Sequence, residues 1–205
     1  MSFPFDLFIS ALVTLLVVID PPGAAPIFAS LTTNATTAAR RAMAWRSVAI
    51  ASVILLGFAV AGEPFLGALG ISLDAFRVAG GIMLFLIAVD MVFEKRTKRR
   101  EERAQEVEAE DVSVFPMAMP MIAGPGSIAA VMLLTSKADT PAEYAAVYGA
   151  LAIVLALTLA ALLAAGPIMR RVGAKVEAMI TRLLGVILAA LAAQIVIDGL
   201  KGAFA

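Results

Sequence analysis

Six stretches of this 205-residue chain are apolar over roughly the 20 residues a helix needs to cross about 30 Å of hydrocarbon. They run approximately Phe5 to Leu31, Ala42 to Ala61, Leu73 to Phe93, Val112 to Leu134, Tyr144 to Met169 and Leu183 to Leu200. Lipid offers no hydrogen bonds, so a run of this length must satisfy its backbone internally, which leaves the helix. The expected fold is an all-α membrane protein with six transmembrane helices. Composition agrees: 61% of residues are hydrophobic and 16% charged, against about 25% charged in a soluble domain. The chain has no Cys and no His. That removes disulfides, thiolate metal sites, a Ser-His pair and the His-Glu-x-x-His zinc motif. No enzyme activity, metal, cofactor or nucleic-acid partner is expected. Met1 to Leu7 carries no Lys or Arg, so it lacks the basic region of a cleavable signal peptide, and the first stretch is expected to be retained.

Two of the six runs carry a break at mid-length: Asp20-Pro21-Pro22-Gly23 in the first and Gly124-Pro125-Gly126-Ser127 in the fourth. Proline removes a donor and clashes with the preceding turn, and glycine has low helix propensity. Helices 1 and 4 should therefore be broken at mid-membrane, where irregular backbone is tolerated only around a polar site. The breaks also occupy matching places. A shift of 103 residues lays Pro22-Gly23 on Pro125-Gly126 and Pro64 on Pro167; a shift of 105 lays Gly80 on Gly185. Each half holds an odd number of spans, so the second half enters from the opposite side. The organisation expected is a first three-helix repeat (1–93), a charged loop (94–111) and a second, inverted three-helix repeat (112–205). Gly80, Gly81 and Gly185 are expected at close helix contacts. Glu63, beside Pro64, is expected in an outer loop.

Lys and Arg divide unevenly, thirteen on the side of loops one, three and five against three on the other. The positive-inside rule places both termini outside (periplasmic) and the 94–111 loop in the cytoplasm of a plasma (inner) membrane protein. The basic run Lys95 to Arg100 could hold anionic lipid headgroups; a solvated connector is the default reading.

Asp20 is a preferred N-cap and Pro21 suits a first helical position, so each break should end one half-helix and start another. Both new N-termini are expected near the midplane, presenting free N–H groups to an acceptor. Asp20 aligns with Ala123, so one break alone carries a carboxylate. That asymmetry suits a zwitterion, with the Gly124 to Ser127 amides and the Ser127 hydroxyl on its carboxylate and Asp20 facing its ammonium. Asp20 as a pure cap is an equal alternative. Asp90, Gln194 and Asp198 are further polar groups within the spans: the acids can reach the interfaces, with proton coupling the minority reading, and Gln194 is expected to bridge helices.

Four segments together carry a family resemblance: Val18 to Phe28 around the first break, Arg77 to Met91 with Gly80, Gly81 and Asp90, Pro116 to Ile128 around the second break, and Arg182 to Gly199 with Gln194 and Asp198. In this order and over essentially the whole chain they resemble the MarC family of six-span inner-membrane proteins, which is related to the LysE group of exporters. The resemblance implies transport of small neutral amino acids such as glycine and alanine, coupled to a cation gradient of H+ or Na+, with Asp20 to Gly23 and Ala123 to Ser127 as the site. Pro22 departs from the pattern, where an aliphatic residue is more usual. The alternatives held open are a passive channel for small polar solutes and a non-transporting structural or regulatory membrane protein; a homo-oligomer is a further expectation.

Overall fold

The computed structural model describes residues 4–93 and 111–204, and no strand occurs among them. Eight helical elements follow in order: α1 (Pro4–Ile19), α2 (Pro21–Leu31), α3 (Thr37–Ala68), α4 (Leu73–Val92), α5 (Ser113–Ile122), α6 (Pro125–Thr135), α7 (Pro141–Leu163) and α8 (Ala165–Phe204). Five runs are long and apolar enough to cross a bilayer, and α5 with α6, bent by 51°, makes a sixth. The protein is a multi-pass integral membrane protein.

Local chemistry sets the ends. Thr36, Ser72 and Thr140 cap α3, α4 and α7 from extended backbone, and Glu143 returns the bond to Thr140 to complete a capping box. α3 stops at Gly70, whose φ of 71° allows the Gly70 amide to reach Gly67 O (3.0 Å) and the Ile71 amide Leu66 O (2.9 Å). Some hydroxyls inside the spans bond back to their own helix, as Ser47 does to Met43 O (2.8 Å) and Thr158 to Val154 O (2.8 Å), which satisfies those donors in lipid.

Two boundaries differ from the sequence reading. Glu63 and Pro64 lie within α3, not in a loop; Gly70 is the residue that ends that helix. The fifth loop, expected around Arg170 to Arg182, is helical: the chain turns at Ala164 and α8 begins at Ala165. Charge alone does not stop a helix, and Pro167 falls in the first turn, where no backbone donor is lost. The charged loop and its lipid-binding run lie outside the described residues, apart from Asp111.

The broken runs occupy the centre. α6 is buried from Ala129 through Thr135 without a polar face, the pattern of a helix surrounded by protein. Around it α1 packs on α7 and α5 on α3, α2 on α7 and α6 on α3, α2 on α8 and α6 on α4. The longest contact is an antiparallel one between α4 and α8. Its register is set by glycines: a Cβ on Gly81 would lie 3.0 Å from Ala192 O, one on Gly185 3.1 Å from Ala88 O, and one on Gly199 2.9 Å from Asp74 O. Backbone thus meets backbone, as helix pairs in lipid do where small residues allow it. Gly80 faces the other way, onto Leu133 and Ala129 of α6.

Candidate functional site at the two helix breaks

The first break is one residue long. Asp20 donates its amide to Leu16 O (3.0 Å), completing α1, and accepts the Ala24 amide on its carbonyl (3.0 Å), opening α2. It does so at φ 58° and ψ 65°, the left-handed region, which Asp tolerates better than most residues. An N-cap is ordinarily extended, so the sequence anticipated the cap but not its conformation. Asp20 Oδ1 accepts the Gly23 amide at 3.1 Å, and the side chain is 2% exposed. A Cβ at position 23 would overlap Asp20 Oδ2 and stand 2.9 Å from Cγ, so glycine lets the carboxylate keep this place.

This arrangement uses every donor at the start of α2. Pro21 and Pro22 have no N–H, and those of Gly23 and Ala24 both go to Asp20. The expectation of free amides at both breaks is therefore corrected for α2: its first turn presents the Asp20 carboxylate and no vacant N–H.

The second break is built differently. The bonds of α5 close wider rings than an α-helix, Met117 N to Val112 O (3.2 Å) and Ala123 N to Ala118 O (2.8 Å), with Phe115 and Met119 extended. Gly124, at φ −82° and ψ 170°, starts α6 without a side-chain cap. A Cβ there would overlap Pro120 O, so the α5 backbone closes directly over the turn. Pro125 has no N–H and Ile128 donates to Gly124 O (3.0 Å). The amides of Gly126 and Ser127 remain outside the helix's own ladder. Ser127 is 2% exposed, and its hydroxyl enters no hydrogen bond among the described residues. Ala123, where the first half has Asp20, is buried and supplies no cap.

The two breaks are neighbours. A Cβ on Gly126 would overlap Ile87 and lie 3.4 Å from Val18 Cγ1, two residues before Asp20. The start of α6 thus packs against the last turn of α1, the turn that leads into Asp20. The other polar candidates lie elsewhere. Asp90 is half-buried in the last turn of α4. Gln194 donates to Asp198 Oδ1 at 2.7 Å on its own helix, on an exposed face, rather than bridging to a neighbour. A groove of about 460 Å³ opens beside α3, lined by Val53, Ile54, Gly57, Phe58, Phe65 and Met119 among others. Its walls are apolar, so it offers nothing to a charged or zwitterionic solute.

These features coincide with a known sequence pattern. The profile of the MarC family integral membrane proteins matches residues 5–204. A UPF0056 membrane protein of Methanocaldococcus jannaschii is 37% identical over 198 residues, 96% of this chain and 97% of that protein. The UPF0056 membrane protein YvbG of Bacillus subtilis is 36% identical over 204 residues, 98% and 97% of the two chains. One from Archaeoglobus fulgidus is 34% identical over 195 residues, 94% and 92%. No solved structure matches the chain. With both helix breaks and the α4–α8 contact inside the matched region, the chain belongs to the MarC family of integral membrane proteins.

Proposed function

We propose that this protein is a secondary transporter of small neutral amino acids, glycine or alanine in size, that works by alternating access with H+ or Na+ as the coupling ion. The observation that carries the reading is the division of polarity between the breaks. The α6 start offers two amides and a hydroxyl at the positive end of a helix, which suits a carboxylate. The α2 start offers a carboxylate and no donor, which suits an ammonium group. A zwitterion with a small side chain satisfies both. Asp20 then has two tasks, capping α2 through the Gly23 amide and setting a carboxylate toward the ammonium group.

Asp20 and Ser127 are both nearly sealed, so a substrate enters only if the helices around them part. The reciprocal packing described above (α1 on α7 with α5 on α3, α2 on α8 with α6 on α4) supports an inverted repeat, in which each half rocks against the other and opens one side at a time. The excess of Lys and Arg in loops one, three and five supports a cytoplasmic 94–111 segment.

The test is glycine and alanine counterflow in proteoliposomes, with and without imposed proton or sodium gradients. Saturable exchange accelerated by one of the gradients is the expected result. Linear, non-exchanging flux would mean a channel, and no flux of any small solute would refute transport.

A further inference from the structure

The lipid-facing side of α8 carries a pattern that one copy of the chain leaves unused. Leu183, Ile187, Ala190, Gln194, Ile197 and Lys201 are all exposed and alternate spacings of four and three residues. Such a 3.5-residue repeat is the seam of a helix pair wound in a left-handed sense. The opposite face of α8, with Gly185, Ala192 and Gly199, is already spent on α4. One seam residue is polar. Gln194 lies roughly 20 Å along the helix from Thr181 and 15 Å from Phe204, inside a 24-residue span and therefore well within the hydrocarbon. Polar side chains at that depth face protein or water in nearly every membrane protein. Here the Gln194 amide gives one N–H to Asp198 and keeps a second N–H and its carbonyl.

We propose that two copies of this chain pair through the α8 seam, with Gln194 of each copy hydrogen-bonded to Gln194 of the other. Copies inserted in one orientation are related by a two-fold axis along the membrane normal, which brings equivalent residues together at equal depth. A glutamine is self-complementary under that operation: the remaining N–H of one side meets the carbonyl of the other. A single buried amide in such a seam fixes register and the number of strands. Ala190, one turn away, lets the helices approach closely enough for the bond, and the exposed apolar residues on either side supply the packing. A foreign membrane partner would need its own group to match the glutamine, whereas a second copy brings one at the same depth.

The chain has no cysteine of its own, so single cysteines report without background. In native membranes, mercury(II) should join Ala190→Cys and Ile197→Cys into species of twice the monomer mass. Val53→Cys, at similar depth on α3 and 73% exposed, should stay monomeric. Adding Gln194→Leu to Ile197→Cys should lower the joined fraction at least threefold, the worth of one interhelical hydrogen bond in lipid. The proposal is overturned if a membrane-permeant maleimide labels both seam cysteines and no dimer forms, if Val53→Cys joins as well as they do, if the adducts have the mass of a different protein, or if Gln194→Leu changes nothing. These variants leave both helix breaks intact, so the result is independent of substrate identity.

Discussion

The same substitution at the two break glycines should have different consequences, because different atoms stand in the way. At Gly23 a methyl group meets the tip of the Asp20 side chain, and at Gly124 it meets the Pro120 carbonyl, which is backbone. A carboxylate can rotate aside. Gly23→Ala then loses a cap bond of about 1 kcal/mol and gains about 1 kcal/mol of helix propensity, so its net effect on stability is close to zero. Gly124→Ala has no such escape: α5 and α6 must separate locally, and overpacking of this kind costs about 1–3 kcal/mol. At roughly 2–4 °C per kcal/mol for a chain of this size, that is an apparent Tm lower by about 2–12 °C. The functional order is reversed in origin. Gly23→Ala should retain its fold and lose at least several-fold in glycine affinity, since the carboxylate has moved. The assay is thermal unfolding in detergent beside counterflow in proteoliposomes for each variant. A Gly124→Ala protein as stable as the parent would refute the packing argument. A Gly23→Ala protein with unaltered affinity would remove Asp20 placement from the mechanism.

Asp20→Asn preserves an N-cap of equal rank but removes the charge; it should leave Tm within a few degrees and weaken substrate binding at least several-fold in equilibrium binding, and unchanged binding would leave Asp20 as a cap alone. Ser127→Ala should raise KM in counterflow without changing expression or Tm. Gly81→Val places new atoms against Ala192 O and Val196 and should cost about 1–3 kcal/mol, read as a lower Tm. Asp111 is held below its ordinary value of 3.8 by the Ser113 side chain, then the Ser113 amide (2.9 Å), then Arg46 (2.7 Å). Because the folded value is the lower one, its contribution is present above about pH 4 and disappears as pH falls through the folded value. Asp111 and Arg46 are both well exposed, so the effect is about 0.2–1 kcal/mol. The Tm difference between the parent and Asp111→Asn should accordingly be positive at pH 7 and shrink progressively as pH falls below about 4.

The spans and the two breaks were legible because both depend on local chemistry: apolar length, missing donors and glycine. Asp20 as a cap followed from its place before Pro21. Its left-handed backbone did not, because the cap rule describes side chains and says nothing of how two coaxial runs are joined across one residue. Nor could the sequence show that α2 begins with no vacant donor, since that depends on the Gly23 amide turning to Asp20 and not to a ligand. The α7–α8 boundary differs from the sequence reading because a cluster of basic residues signals a loop by charge, yet such residues are compatible with a helix. Gly81 and Gly185 were recognised as contact positions from their type. Gly199 and Gly202, which face Arg77 and Asp74, gave no separate signal, as glycines near a span end also serve as stops.

The antiparallel contact between α4 and α8 joins one helix from before the 94–110 segment to one from after it. Gly81 of α4 and Gly185 and Gly199 of α8 each lie where a Cβ would meet both a backbone oxygen and side chains of the other helix. Separated, each half would expose the surface it now buries against the other, with the close approaches at Gly81, Gly185 and Gly199 left unfilled. The two halves are thereby tied along one line of close approach, so a bulky residue at Gly81 or Gly185 disturbs both halves at once.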